Sequence, residues 1–89
     1  MSFVLIARDK PGALELRKAN REAHLAYVEA TGVVTIAGPL LDDDGNMAGS
    51  LLVLDLPDQA AAEAWASEDP YAKAGLFAQV EISGFKRVR

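Results

Sequence analysis

Apolar and polar positions change rhythm several times along the chain, and each change marks an element. Phe3–Ala7 is an unbroken apolar run of strand-forming residues, closed by Arg8, Asp9, Lys10 and the Pro11–Gly12 pair. It predicts a buried strand, and the lack of alternation suggests cover on both faces and a central place in a sheet. From about Ala13 to Ala30 the chain is free of proline and rich in Ala, Leu, Glu and Arg, which predicts a long helix. Thr31–Gly32 stops it, with Gly32 suited to a left-handed C-cap. Val33–Leu41 reads as a second strand, with Pro39 marking an edge or an exit because proline cannot donate to a ladder. A polar turn over 42–49 leads to a third strand at Ser50–Leu56, and the short connection predicts an antiparallel hairpin. Asp58 is placed to cap a second helix that runs to about Ser67. Pro70 opens a short further turn of helix that Asp69 can cap, and Leu76–Phe85 gives a fourth strand.

The order β-α-β-β-α-β with one internal hairpin predicts an α+β, ferredoxin-like fold, residues 1–89 forming one domain. Its antiparallel four-stranded sheet carries both helices on one face. The other face has no cover within the chain, yet the strands contain too many apolar residues (Val4, Ile6, Val34, Ile36, Leu52, Leu54) to face water on one side, so a second copy packed sheet on sheet is expected. This predicts a homodimer of the α/β-barrel kind.

On the long helix, a spacing of 3.6 residues per turn collects Leu16, Ala19, Ala23, Ala26, Tyr27 and Ala30 into one stripe. That stripe is expected to lie on the sheet, Glu15, Lys18, Glu22 and Glu29 to face solvent, and Arg17, Arg21, His24 and Val28 to occupy a third arc. A semi-apolar third arc suggests contact with a pocket or another chain.

Composition narrows the chemistry. Eighty-nine residues bury only about 60–65% of the surface of the unfolded chain, enough for one core with a thin margin. With no cysteine and one histidine, neither a disulfide, a thiolate nucleophile nor a metal site is expected. A net charge of -4 argues against nucleic acid, and no apolar run approaches the ~20 residues of a membrane span. The N-terminal residues do not read as a signal peptide, and a cytoplasmic protein is expected. The acidic run 42–46 lacks EF-hand spacing and reads as a solvated hairpin, and the glycines show no phosphate-loop spacing.

His24 is therefore the natural candidate for acid–base work, since histidine titrates near neutrality. The alternative is an inert, hydrogen-bonded histidine on a helix edge. Asp69 has two compatible readings, as the cap of the Pro70 turn and as a carboxylate orienting His24. Arg17 and Arg21 suit a substrate carboxylate, with Arg17 preferred. Neither has an acid three or four residues away, so any carboxylate partner comes from elsewhere in the fold, a second chain or a ligand. Tyr71 is a candidate pocket residue, while Tyr27 and Trp65 read as core.

Arg17, Arg21, His24–Leu25, Gly38–Pro39–Leu40, Gly49 and Glu68–Asp69–Pro70–Tyr71 with Gly75–Leu76 follow one another as in a known family. The chain resembles the YCII-related (YciI-like) domain family over nearly its whole length. The resemblance implies a dimeric α/β-barrel fold and an active site at His24 and Asp69. It also implies chemistry of the kind seen in related enzymes, elimination or isomerisation of small ring-derived or muconate-type acids. The expectation is a cofactor-free lyase or isomerase for a small anionic organic compound, with Arg17, Arg21 and Tyr71 at the ligand. The alternatives are a small-ligand-binding or regulatory module of the same dimeric fold and, less favoured, a domain for assembly with other proteins.

Overall fold

The computed structural model describes residues 1–89. The elements follow the expected order: β1 (Ser2–Asp9), α1 (Leu14–Thr31), β2 (Val34–Leu41), β3 (Met47–Asp55), α2 (Gln59–Glu68), α3 (Pro70–Lys73) and β4 (Phe77–Phe85). All strand pairs are antiparallel and the sheet order is β2-β3-β1-β4, the ferredoxin-like arrangement. The apolar run of β1 is thus central and Pro39 lies on an edge strand. No helix is long and apolar enough to cross a membrane.

Strand alternation divides the sheet into two faces. Phe3, Leu5 and Ala7 of β1 stand opposite Leu54, Leu52 and Ser50 of β3, and this face carries the helices. Its core joins Phe3, Leu5, Leu52 and Leu54 to Ala62 and Trp65 of α2, with Tyr27 and Val28 of α1 packed against them. Tyr27 also donates its hydroxyl to the Trp65 carbonyl at 2.7 Å, and the indole N–H of Trp65 donates to the Thr31 hydroxyl at 3.0 Å. The reverse face pairs Val4 with Val53 and Ile6 with Leu51, and Ile36, 45% exposed, lies beside Val53. No helix covers it.

The punctuation behaves as its chemistry requires. Gly32 takes φ 66° and returns its N–H to the Val28 carbonyl. Asp58 accepts the Ala61 N–H and starts α2. In the hairpin turn, Asp42 Oδ1 accepts the N–H groups of Asp44 and Asn46 at 2.9 Å each, so this carboxylate serves as a turn clamp.

One expectation is overturned. The alanine stripe of α1 does not face the sheet: Ala19, Ala23, Ala26 and Ala30 are exposed, and Leu16 is 38% exposed. The helix is turned so that Arg17 and His24 are its buried residues, with Leu14, Tyr27 and Val28 half-buried beside them. Each buried polar residue meets a carboxylate from another element, as described below. Those pairings, together with the larger side chains of Tyr27, Val28 and Leu14, outweigh what a row of single methyl groups gains by leaving water.

Candidate functional site

Pro70 organises the site from outside it. The residue before a proline is excluded from the helical region, and Asp69 takes φ -60°, ψ 129°. Helix α2 therefore ends at Glu68, the chain turns inward, and α3 starts with Pro70 in its first turn. Asp69 Oδ1 accepts the Tyr71 N–H at 2.9 Å, which caps α3, and the carboxyl is carried against α1.

There it meets His24. The distance from Nδ1 to Asp69 Oδ1 is 2.8 Å, and both side chains are nearly sealed from solvent. A carboxylate without a proton only accepts hydrogen bonds, and in that pairing the proton of this contact belongs to Nδ1. In the neutral ring the lone pair then sits on Nε2. Every side-chain nitrogen and oxygen shut off from solvent has a hydrogen-bond partner, and Nε2 has none within the chain. Nε2 is therefore not shut off from solvent, and His24 lines the cavity.

Tyr71 packs flat on the imidazole, with ring centroids 4.1 Å apart and planes 12° from parallel. The Arg17 guanidinium lies 4.6 Å from the centroid of the same phenol. Burial raises the Tyr71 pKa above 10, and although the charges of Arg17 and Arg21 pull the other way, burial prevails. Tyr71 is thus a neutral hydroxyl donor at physiological pH.

Arg17 lies two turns before His24 on the same buried line of α1. The partner its own helix could not supply is Asp9, at the end of β1, where the ladder to β4 shifts register between Arg8 and Asp9. Nε and Nη2 of Arg17 donate to Asp9 at 2.7 and 3.0 Å, and Nη2 also donates to Ser50 Oγ at 2.8 Å. The forked pair is almost wholly buried, the geometry in which Arg–carboxylate contacts are strongest. Arg21, one turn before His24, is exposed and makes no ion pair.

These groups surround a cavity of about 150 Å³ between α1 and the β2–β3 half of the sheet. Arg17, Arg21, His24, Tyr71 and Ser50 supply its polar wall, and Leu25, Pro39, Met47 and Leu52 much of its apolar one. Asp9 compensates Arg17 and Asp69 faces His24, so Arg21 leaves the cavity mouth positive. The cavity is small, partly apolar and edged by several hydrogen-bonding side chains.

The structure brings all five residues singled out in the sequence, Arg17, Arg21, His24, Asp69 and Tyr71, to one place. Two contributors were not foreseen, Asp9 and Ser50. Ser50 carried a signal: it falls in the buried phase of β3 with Leu52 and Leu54, where a hydroxyl needs a reason to be. Asp9 carried none beyond standing at a strand end.

Known proteins agree with this architecture. An uncharacterized protein of Haemophilus influenzae is 37% identical, with 99% of each chain covered. Protein YciI of Escherichia coli is 36% identical over the same shares. The solved structure of a 5-chloro-2-hydroxyhydroquinone dehydrochlorinase from Burkholderia phenoliruptrix, in complex with 2,5-dihydroxybenzoquinone, superposes with a TM-score of 0.88 at 35% identity. That match covers 97% of this chain and 94% of the other. An antibiotic biosynthesis monooxygenase at 11% identity and a TM-score of 0.61 shares the fold alone. The model of the YCII-related domain matches residues 1–86, and the chain belongs to that family.

Proposed function

We propose that this protein is a cofactor-free lyase or isomerase that moves a proton on a small, anionic, ring-derived compound, with His24 as its base. The observation that carries this reading is the buried His24–Asp69 pair, 2.8 Å from Nδ1 to Oδ1, at the cavity that His24 lines; on this reading Asp69 holds the proton on Nδ1 and Nε2 faces the cavity. Nε2 takes a proton from the bound molecule, and the imidazolium that forms is stabilised by Asp69. In an elimination, the electron pair released by that proton expels a leaving group from the ring. In an isomerisation, the same proton returns at another atom. Arg21 holds the anionic end of the substrate, in preference to Arg17, whose Nε and Nη2 are engaged by Asp9 and Ser50. Arg17 lines the same cavity, and Tyr71 supplies a neutral donor. The dehydrochlorinase relative and its quinone ligand favour a hydroxylated ring as substrate.

We also infer that the protein works as a cytoplasmic homodimer. The second copy covers the reverse face of the sheet, where Val4, Ile6, Leu51 and Ile36 meet no helix. Sedimentation of wild type against Ile36→Asp tests this: a wild-type dimer and a monomeric variant are expected, and a wild-type monomer overturns it.

The function is tested by screening chlorinated hydroxyhydroquinones and muconate- or lactone-type acids with wild type and His24→Ala. Turnover in wild type that falls by at least a thousandfold in the variant is expected. Equal turnover in both sinks the catalytic role. Tight binding of 2,5-dihydroxybenzoquinone with no turnover of any compound favours the ligand-binding module instead.

A further inference from the structure

Ser50 is 2% exposed, sits on the helix-bearing face of β3, and lines the same cavity as His24. Its oxygen accepts an N–H from Arg17 at 2.8 Å. Its own hydroxyl proton has no acceptor anywhere in the chain. A serine buried this deeply normally uses its proton, because a hidden hydroxyl that donates nothing forfeits part of its hydration. The cavity is the one space left for that proton.

The hydroxyl is also unusually polarised. Arg17 donates to Ser50 Oγ while its fork is fixed by both oxygens of Asp9. A hydroxyl that accepts from a cation becomes a stronger donor, since hydrogen bonds in series reinforce one another in a poorly solvated setting. Asp9, Arg17 and Ser50 thus form a chain that starts on a buried carboxylate and ends on a proton aimed at the ligand space.

We propose that Ser50 contacts the substrate, donating its hydroxyl to an anionic oxygen of the molecule in the cavity. This rests on the proposed reading of the cavity as the substrate site. Ser50 then acts with Arg21 and Tyr71 to hold negative charge on the substrate, while His24 removes the proton. Asp9 and Arg17 are positioning residues in this arrangement: they aim and strengthen the Ser50 donor.

The test is equilibrium titration of two probes, 2,5-dihydroxybenzoquinone, whose acidic hydroxyls are ionised at neutral pH, and hydroquinone, a neutral ring of similar size. Ser50→Ala is expected to weaken the quinone about ten- to a hundredfold, the range for losing one hydrogen bond to a charged acceptor. It should leave hydroquinone within threefold, which a collapsed cavity would not. Ser50→Thr keeps the hydroxyl on a residue that suits a strand and should hold the quinone within fivefold of wild type. Quinone affinity unchanged in Ser50→Ala, or lost equally in the Thr and Ala variants, overturns the role of Ser50 while leaving the site reading intact. Failure of wild type to bind the quinone overturns both.

Discussion

Replacing Asp69 by asparagine changes one atom of the site and should change which nitrogen of His24 carries the proton. Asp69 Oδ1 meets both the Tyr71 N–H and His24 Nδ1, so the amide presents either its oxygen to both, which keeps the cap of α3, or its NH₂ to both. What is lost is the charge-assisted hydrogen bond to Nδ1, made at 2.8 Å between side chains only 7% and 2% exposed. Hydrogen bonds to charged groups contribute about 1.5–3 kcal/mol. An unfolding entropy of about 2.1 cal/mol/K per residue over 89 residues gives about 190 cal/mol/K. The melting temperature should therefore fall by about 8–16 °C. Where the NH₂ takes the Oδ1 position it donates to Nδ1, which pushes the proton to Nε2, removes the lone pair there and gives up the bond from the Tyr71 N–H. Activity should then drop far more than stability, by as much as about 10⁴-fold, the scale of a wrong-tautomer substitution in an unrelated triad. His24 is the single histidine of the chain, so a long-range ¹H–¹⁵N spectrum contains one imidazole pattern. Wild type should show the Nδ1–H tautomer and Asp69→Asn a shift towards Nε2–H. A wild-type spectrum with the proton on Nε2 would refute the assignment of the base outright.

Three further perturbations probe the scaffold. Arg17→Met leaves the Asp9 carboxylate buried without a partner, which costs about 3–5 kcal/mol in urea denaturation, and adding Asp9→Asn should recover much of it; a stable single variant would contradict the pairing. Gly49→Ala places a Cβ 2.5 Å from the Ala7 carbonyl oxygen, so β1 and β3 must part locally, and a loss of about 1–3 kcal/mol should appear in thermal melts. Burial raises the pKa values of Tyr27 and Tyr71, with Asp69 adding to both and Glu68 to Tyr27. Between their ordinary value near 10 and the raised one, the folded state binds more protons than the unfolded chain. Stability should hold up to about pH 10 and fall above it. Tyr27→Phe and Tyr71→Phe should each flatten that fall in chemical denaturation followed against pH, and an unchanged slope in both would refute the cause.

The element order was legible because it rests on local signals. Period, proline, glycine and capping side chains placed β1, α1, the hairpin, α2 and the Pro70 turn within a few residues of their observed bounds. The rotation of α1 about its axis was not legible. Read by hydropathy alone, four alanines, Leu16 and Tyr27 make the inner face, and Arg17, Arg21 and His24 share a third arc against a pocket or another chain. The observed helix buries Arg17 and His24 and exposes the alanines, because Asp9, eight residues before Arg17, and Asp69, 45 after His24, meet them. An apolar stripe can be seen within one helix. A buried arginine or histidine becomes affordable only through a carboxylate delivered by another element, and no property of the helix announces it.

The misread face and the candidate site are one physical fact. A helix that laid its alanines on the sheet would approach closely and leave no cavity beneath it. By turning Arg17 and His24 inward, α1 stands over the β2–β3 half of the sheet on long polar side chains, and the space between them is the pocket. Turning them inward costs desolvation unless every donor is satisfied, and each is either paired or open to that pocket. The carboxylates that meet this requirement also hold the two side chains in place: Asp69 bonds His24 Nδ1, and Asp9 immobilises Arg17. Local preference and tertiary structure therefore disagree along α1 at the residues that carry the proposed reaction, which is where a fold adapted to chemistry is expected to depart from one adapted to packing alone.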